Sequence, residues 1–120
     1  MIHLSLPWPP STNTVYPSTR WGRRCLSDKG KAYHAAVQAA VAEAGFPSID
    51  GPAAVWIQLF PPDRRRRDVG NHEKVLVDAL VACHVLADDS MEYLTDLRLT
   101  AHGIVPEGEV QVFITKAEEA

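Results

Sequence analysis

This sequence is short of cysteine, of long apolar runs and of positive net charge, and each shortage removes a class of protein. Two cysteines, Cys25 and Cys83, stand in 120 residues with no metal-ligand spacing and no close partner. That excludes a disulfide scaffold and a cysteine-rich zinc module, and fits reduced thiols in a cytoplasmic protein. The first ten residues, MIHLSLPWPP, have no basic leader and only a short apolar run before prolines. They read as neither a signal peptide nor a membrane span, so a soluble intracellular protein is expected, with no membrane partner. There is no G-x-x-x-x-G-K-[ST] loop, which excludes P-loop hydrolysis and a nucleotide cofactor held that way. His72 and Glu73 form a His-Glu pair, but no histidine follows at position 76, so the H-E-x-x-H zinc motif is absent as well. Internal repeats and low-complexity stretches are missing.

What is present is one domain's worth of core. With 46% hydrophobic residues, residues 1–120 supply a single hydrophobic centre. The formal net charge is −3, so bulk charge does not point to nucleic acid. Distribution does: five of the 12 lysines and arginines lie in Arg20–Lys31 and five more in Arg64–Lys74. A local basic patch on an acidic protein attracts DNA.

Ile2, Leu4 and Leu6 alternate with polar residues, which predicts a strand ended by Pro7, Pro9 and Pro10. The segment STNTVYPSTRWGRR reads as a long loop that is polar, aromatic and basic together through Asn13, Tyr16, Arg20, Trp21, Arg23 and Arg24. It either packs its aromatics on the core or faces a substrate. Ser27 is a suitable N-cap for a helix over 28–44, with Gly45 as its stop and Tyr33, Val37, Ala40, Val41 and Ala44 as its buried stripe. His34 and Gln38 fall off that stripe and are expected in solvent. Residues 53–60 alternate with both faces largely apolar, predicting a central strand that Pro61 and Pro62 terminate. A second helix is expected from an N-cap at Asn71 to about Val85, with Leu76, Leu80 and Val85 on its core face. The segment SMEYLTD reads as one helical turn. Strands through Leu97–Leu99 and Val110–Ile114 follow, and a turn at Pro106–Glu109 joins them. The order β-α-β-α-β-β predicts an α+β domain with a mixed sheet and two helices packed on it.

The chemistry concentrates in residues 61–89. Four consecutive arginines, Arg64, Arg65, Arg66 and Arg67, repel one another unless solvent or a polyanion relieves them, and phosphate contact is the favoured reading over a solvated loop. Asp68 follows directly, and Asp89 closes a carboxylate pair with Asp88 beyond the helix. Acids from distant segments suit a hard divalent cation, and the helix's first N–H groups suit an anion. Lys74 either neutralises charge on a phosphate or forms a surface pair with Asp78 at i, i+4. Together these residues suggest metal-assisted chemistry on a phosphodiester.

The same residues resemble those of the RusA-type Holliday junction resolvases. The likeness starts at LPWPPSTN, continues through SDKGKAY and peaks in PDRRRRDVGNHEK, VDAL and DD, so it covers most of the chain. The resemblance implies a homodimeric, magnesium-dependent endonuclease of bacteria and prophages that cuts four-way DNA junctions symmetrically. The family pattern D-x-D-N-x-x-K falls on Asp68 to Lys74, which makes Asp68 and Asp89 the Mg²⁺ ligands, and Lys74 a third catalytic residue. Arg64–Arg67 become the DNA contacts. Where the family has its second carboxylate this chain has Gly70, which has no side-chain ligand. Two alternatives therefore stand beside the resolvase: a junction-binding protein that has lost cleavage, and a less selective endonuclease for branched DNA.

Overall fold

A computed structural model of the chain describes residues 1–17 and 26–117. The expected roles of Arg20, Trp21, Arg23, Arg24 and Cys25 lie outside these residues. The observed order is β1 (Ile2–Pro7), α1 (Thr12–Val15), α2 (Asp28–Glu43), β2 (Ala53–Phe60), a 3-10 turn (Val69–Asn71), α3 (Glu73–Ala82), β3 (Leu94–Ala101) and β4 (Glu109–Lys116). The α+β class and the expected strand–helix order hold, with α1 and the 3-10 turn added.

The four strands form one sheet in the order β1-β4-β2-β3. β4 is antiparallel to both β1 and β2, whereas β2 and β3 run parallel. A parallel pair needs a crossover, and α3 supplies it. Leu4 and Leu6, Val55, Ile57 and Leu59, and Val110, Val112 and Ile114 point to one face, where the helices bury them. Among the described residues no helix covers the other face. Across it His3 stacks on Phe113 (4.5 Å between centroids), Phe113 meets Trp56 (5.5 Å), and the Arg98 guanidinium lies 4.8 Å over Trp56. β2 is therefore central in order, as expected, but among the described residues it is covered on one face only. Trp56, Gln58 and Phe60 stay half-exposed.

The opening of the long loop is a helical turn. Ser11 caps α1 by accepting from the Thr14 amide, and Val15 is fully buried. Ser27 caps α2 as expected, accepting from the Gly30 amide at 3.2 Å. A Cβ on Gly30 would stand 2.8 Å from Leu26 Cδ1 and from Val15 Cγ1, so only glycine lets α2 approach α1 this closely. The Tyr33 hydroxyl donates to the Pro7 carbonyl (2.8 Å) and ties α2 to the end of β1. Two expectations on α2 need correction. Ala44 is the exposed C-cap rather than part of the stripe, and His34 is half-buried, its Nε2 enclosed without a partner among the described residues.

α3 departs from expectation at both ends. Asn71 is the last residue of the 3-10 turn, and His72 occupies the cap position with no side-chain capping bond. At the other end the helix stops at Ala82. His84 takes the left-handed conformation (φ 61), its amide donates to Val81 O and the Val85 amide to Leu80 O, both at 3.0 Å. That is a Schellman closure, and Leu80 and Val85 are both fully buried, as its hydrophobic contact requires. Val85 thus serves the core without being helical. SMEYLTD holds the single turn expected, with the Leu94 amide donating to Ser90 O at 2.8 Å, and leads straight into β3. Among the described residues no helix is long and apolar enough to cross a membrane.

Candidate nucleic-acid and metal site

The carboxyl end of β2 sets the site. Pro61 and Pro62 end the strand, and Asp63 builds a tight turn beneath the arginines: its Oδ1 accepts from the Arg65 amide at 2.9 Å. Arg67 folds back into this turn. Its Nη1 pairs with Asp63 Oδ1 at 2.8 Å, also donates to the carbonyls of Asp63 (3.3 Å) and Arg65 (3.2 Å), and its guanidinium lies 5.6 Å from the Trp8 ring centre. The Arg67 bond, helped by the Arg65 amide, holds the Asp63 carboxyl below its ordinary range. The four arginines consequently differ. Arg64, Arg65 and Arg66 are exposed, while the Arg67 side chain is 18% exposed and braces the turn that presents them.

Two adjoining clefts lie below the turn and share Trp8, Arg65, Arg67 and His72. The larger, about 340 Å³, also takes in Lys29, Arg66 and Asn71, so its rim is cationic. The smaller, about 120 Å³, runs between Leu59, Ala101 and Val69, with Asp68 at its edge. Asp68 is exposed, and its backbone carbonyl accepts from the Asn71 amide (3.1 Å), which opens the 3-10 turn.

His72, half of the His-Glu pair that forms no zinc motif, lies buried where the two clefts meet. It is 5% exposed, its ring sits 5.0 Å from that of Trp8, and its Nδ1 is 3.2 Å from the Pro10 carbonyl, so Nδ1 carries the proton. Burial pushes its pKa down, the Arg67 charge adds to this, and the Pro10 carbonyl opposes it. The neutral ring leaves Nε2 buried and without a partner among the described residues. Thr12 Oγ1 donates to Asn71 O at 2.9 Å, so α1 and Pro10 together hold the start of α3. No local pattern could have shown this, because both partners are about sixty residues away in sequence.

Lys74 projects from the first turn of α3 with its side chain half-exposed. Its Nζ lies 3.4 Å from Asp78 Oδ2 and 5.4 Å from the Tyr16 ring centre. The Tyr16 hydroxyl donates to the same Asp78 oxygen, and burial, followed by that bond, pushes the phenol pKa up. The surface pair weighed for Lys74 is thus present, extended by a tyrosine from the end of α1.

Gly70 does not use the backbone freedom that glycine allows. It is not among the positive-φ glycines, and a Cβ built on it meets nothing within 4 Å. Asp89 is exposed and stands in the loop before β3, away from this end of the sheet. Among the described residues no group of three or more histidines, cysteines or acids is placed to hold a metal ion. Within one chain, then, the carboxylates the sequence assigns to one Mg²⁺ do not fit that ion.

Nearly the whole length of the fold, with its basic surface, falls within one nuclease family by sequence. Residues 7–115 match the family model described as Endodeoxyribonuclease RusA, and the chain belongs to that family. Among its relatives, the crossover junction endodeoxyribonuclease rusA of Enterobacteria phage 82 is 32% identical over 118 residues, 95% of this chain and 93% of the phage protein. The proteins named crossover junction endodeoxyribonuclease RusA from Shigella sonnei (strain Ss046) and Escherichia coli (strain K12) are each 33% identical over 114 residues. That is 94% of this chain and 92% of either relative.

Proposed function

We propose that this protein is a Holliday junction resolvase, an endodeoxyribonuclease that binds four-way DNA junctions and hydrolyses phosphodiesters in them, acting as a homodimer with Mg²⁺. The observation that carries the reading is the exposed Arg64–Arg66 ridge, braced by Arg67 and standing over a cationic cleft with Asp68 at the neighbouring rim. Such a ridge takes up phosphates regardless of base sequence. In the hydrolysis, water adds to phosphorus, the bond to the leaving oxygen breaks, and that oxygen is protonated. Lys74 offers a cation for the charge that develops on the phosphate. DNA as substrate places the work in the bacterial cytoplasm.

Gly70 and the absence of an assembled acid cluster among the described residues favour one second reading, a junction-binding protein that does not cut. A single assay separates the readings. The protein is incubated with Mg²⁺ and a synthetic four-way junction, or a linear duplex of the same sequence. A resolvase nicks paired strands of the junction symmetrically and spares the duplex. A less selective branch endonuclease also cuts flaps and three-way junctions. Binding without nicking establishes the second reading.

A further inference from the structure

Three contacts meet along α3, and each comes from the start of the polar segment that follows β1. Thr12 Oγ1 donates to the Asn71 carbonyl at 2.9 Å, just before the helix, and the Tyr16 hydroxyl donates to Asp78 Oδ2 further along it. Between them stands Lys74, its Nζ 3.4 Å from the same Asp78 oxygen and 5.4 Å from the centre of the Tyr16 ring. That ring is a fixed wall. It packs against the core beside fully buried Val15, whose carbonyl accepts from the Ser27 amide at 2.9 Å. Asn71 and Thr14 both line the larger cationic cleft. Lys74 follows Asn71 by three residues and Tyr16 follows Thr14 by two, so ammonium and ring stand beside that cleft.

One oxygen of Asp78 thus faces both a hydroxyl and an ammonium. Ordinary N–H···O bonds span about 2.7–3.2 Å, so Lys74 at 3.4 Å is held mainly by charge, while Tyr16 makes the hydrogen bond. Exposure separates the partners further, with the Asp78 side chain 24% exposed and that of Lys74 50%. A half-exposed ion pair is weak, and another anion displaces it readily. The ring face attracts the ammonium without neutralising it. Without the hydroxyl, the carboxylate would turn its full acceptor capacity to Lys74, and the pair would close to a charge-assisted hydrogen bond.

We propose that Tyr16 is a positioning residue for Lys74: it occupies the Asp78 carboxylate and offers its ring face, and so keeps the ammonium available to a backbone phosphate of the DNA. The role rests on the resolvase reading and deepens it. It gives Lys74 a fixed place beside the cleft, and it gives the segment before the basic stretch at Arg20–Lys31 a task in the site.

Junction binding in EDTA tests this without relying on cleavage. Lys74→Met keeps the stem and removes the charge, and should flatten the plot of log affinity against log salt by about 0.9, the value of one phosphate contact. Tyr16→Phe should weaken binding at least about threefold and show most of that same loss of slope. In a Lys74→Met or Asp78→Asn background, Tyr16→Phe should change neither affinity nor slope, because the ammonium or the carboxylate that captures it is gone. A loss that persists undiminished in Lys74→Met makes the Tyr16–Asp78 bond a plain tether between α1 and α3 and overturns the proposal. So does a Tyr16→Phe chain that binds like the parent. Should Tyr16→Phe fail to fold, NMR of the parent decides. The Lys74 Hε resonances should lie upfield in the free chain, from the Tyr16 ring, and move when a junction is added; ordinary lysine positions, or no movement, overturn it. A linear duplex of the same sequence, titrated alongside, tests the reading beneath. A parent with no preference for the junction discards the resolvase, and the Tyr16–Lys74 coupling is then read on the duplex. A parent that binds no DNA discards both.

Discussion

Gly70→Asp adds a carboxylate two residues beyond Asp68, where the resemblance to the junction resolvases implies one, at a point where the fold does not resist it. Nothing lies within 4 Å of the new Cβ, and the backbone is not in the left-handed region, so the folded state meets no clash. Replacing glycine also removes freedom from the unfolded chain, and stability should hold or rise by about 0.5 kcal/mol. The chemical effect is larger. At an effective dielectric of about 20, a unit charge about 4 Å from another is worth about 4 kcal/mol, and more against a divalent cation. If one third of that survives desolvation and appears in the transition state, the gain is about 1.4 kcal/mol, or tenfold in rate. The expected outcome is at least about tenfold faster Mg²⁺-dependent cleavage under single-turnover conditions, with junction affinity in EDTA unchanged or slightly lower from the added charge. Equal cleavage by the parent and by Gly70→Asp would falsify the idea that this position limits the reaction, and Glu73 would become the next ligand to examine.

Three further outcomes follow from the same geometry. Arg65→Ala with Arg66→Ala should flatten the plot of log affinity against log salt by about 1.8, whereas Arg67→Ala should leave that slope alone and cost about 1–2 kcal/mol in urea unfolding, because its charge is spent on the turn. The pKa of His72 in the folded protein lies below its ordinary value of 6.5, so its neutral, buried state contributes stability fully above about pH 6.5 and loses it as the pH falls through the folded value. Melting temperatures should therefore drop on acidification below that point, and His72→Leu should flatten the drop; an unchanged profile would assign it to other groups. Tyr16→Phe removes the hydroxyl that donates to the part-buried Asp78 and should cost about 1–3 kcal/mol by urea denaturation, while a cost near zero would mean water replaces the bond freely.

Local signals carried much of this fold. The alternation over residues 53–60 matches β2 residue for residue, and α2 is bracketed as expected by the Ser27 hydroxyl at its start and by Gly45, at φ 86, just past its end. The basic patch was equally legible, since four adjacent arginines cannot all turn inward. What failed was decided by distant partners. Asn71 looked like a cap, but Pro10 and Thr12 hold the 71–72 segment from outside, so the chain enters α3 through a 3-10 turn. Val85 looked like the last turn of a helix. It is instead the buried far end of a closure made by His84 in a conformation that a non-glycine residue seldom takes.

By itself the sequence determined the element types, the apolar stripes and the place of the basic run, because all three depend on side chains close along the chain. Tertiary structure decided that β3 lies parallel to β2 at the sheet's edge, and the physical reason is the α3 crossover. A helix that returns along the sheet carries Asp89 to the end opposite Asp68. Two acids twenty-one positions apart look ready to share an ion in the sequence, yet a single folded chain holds them a strand's length apart.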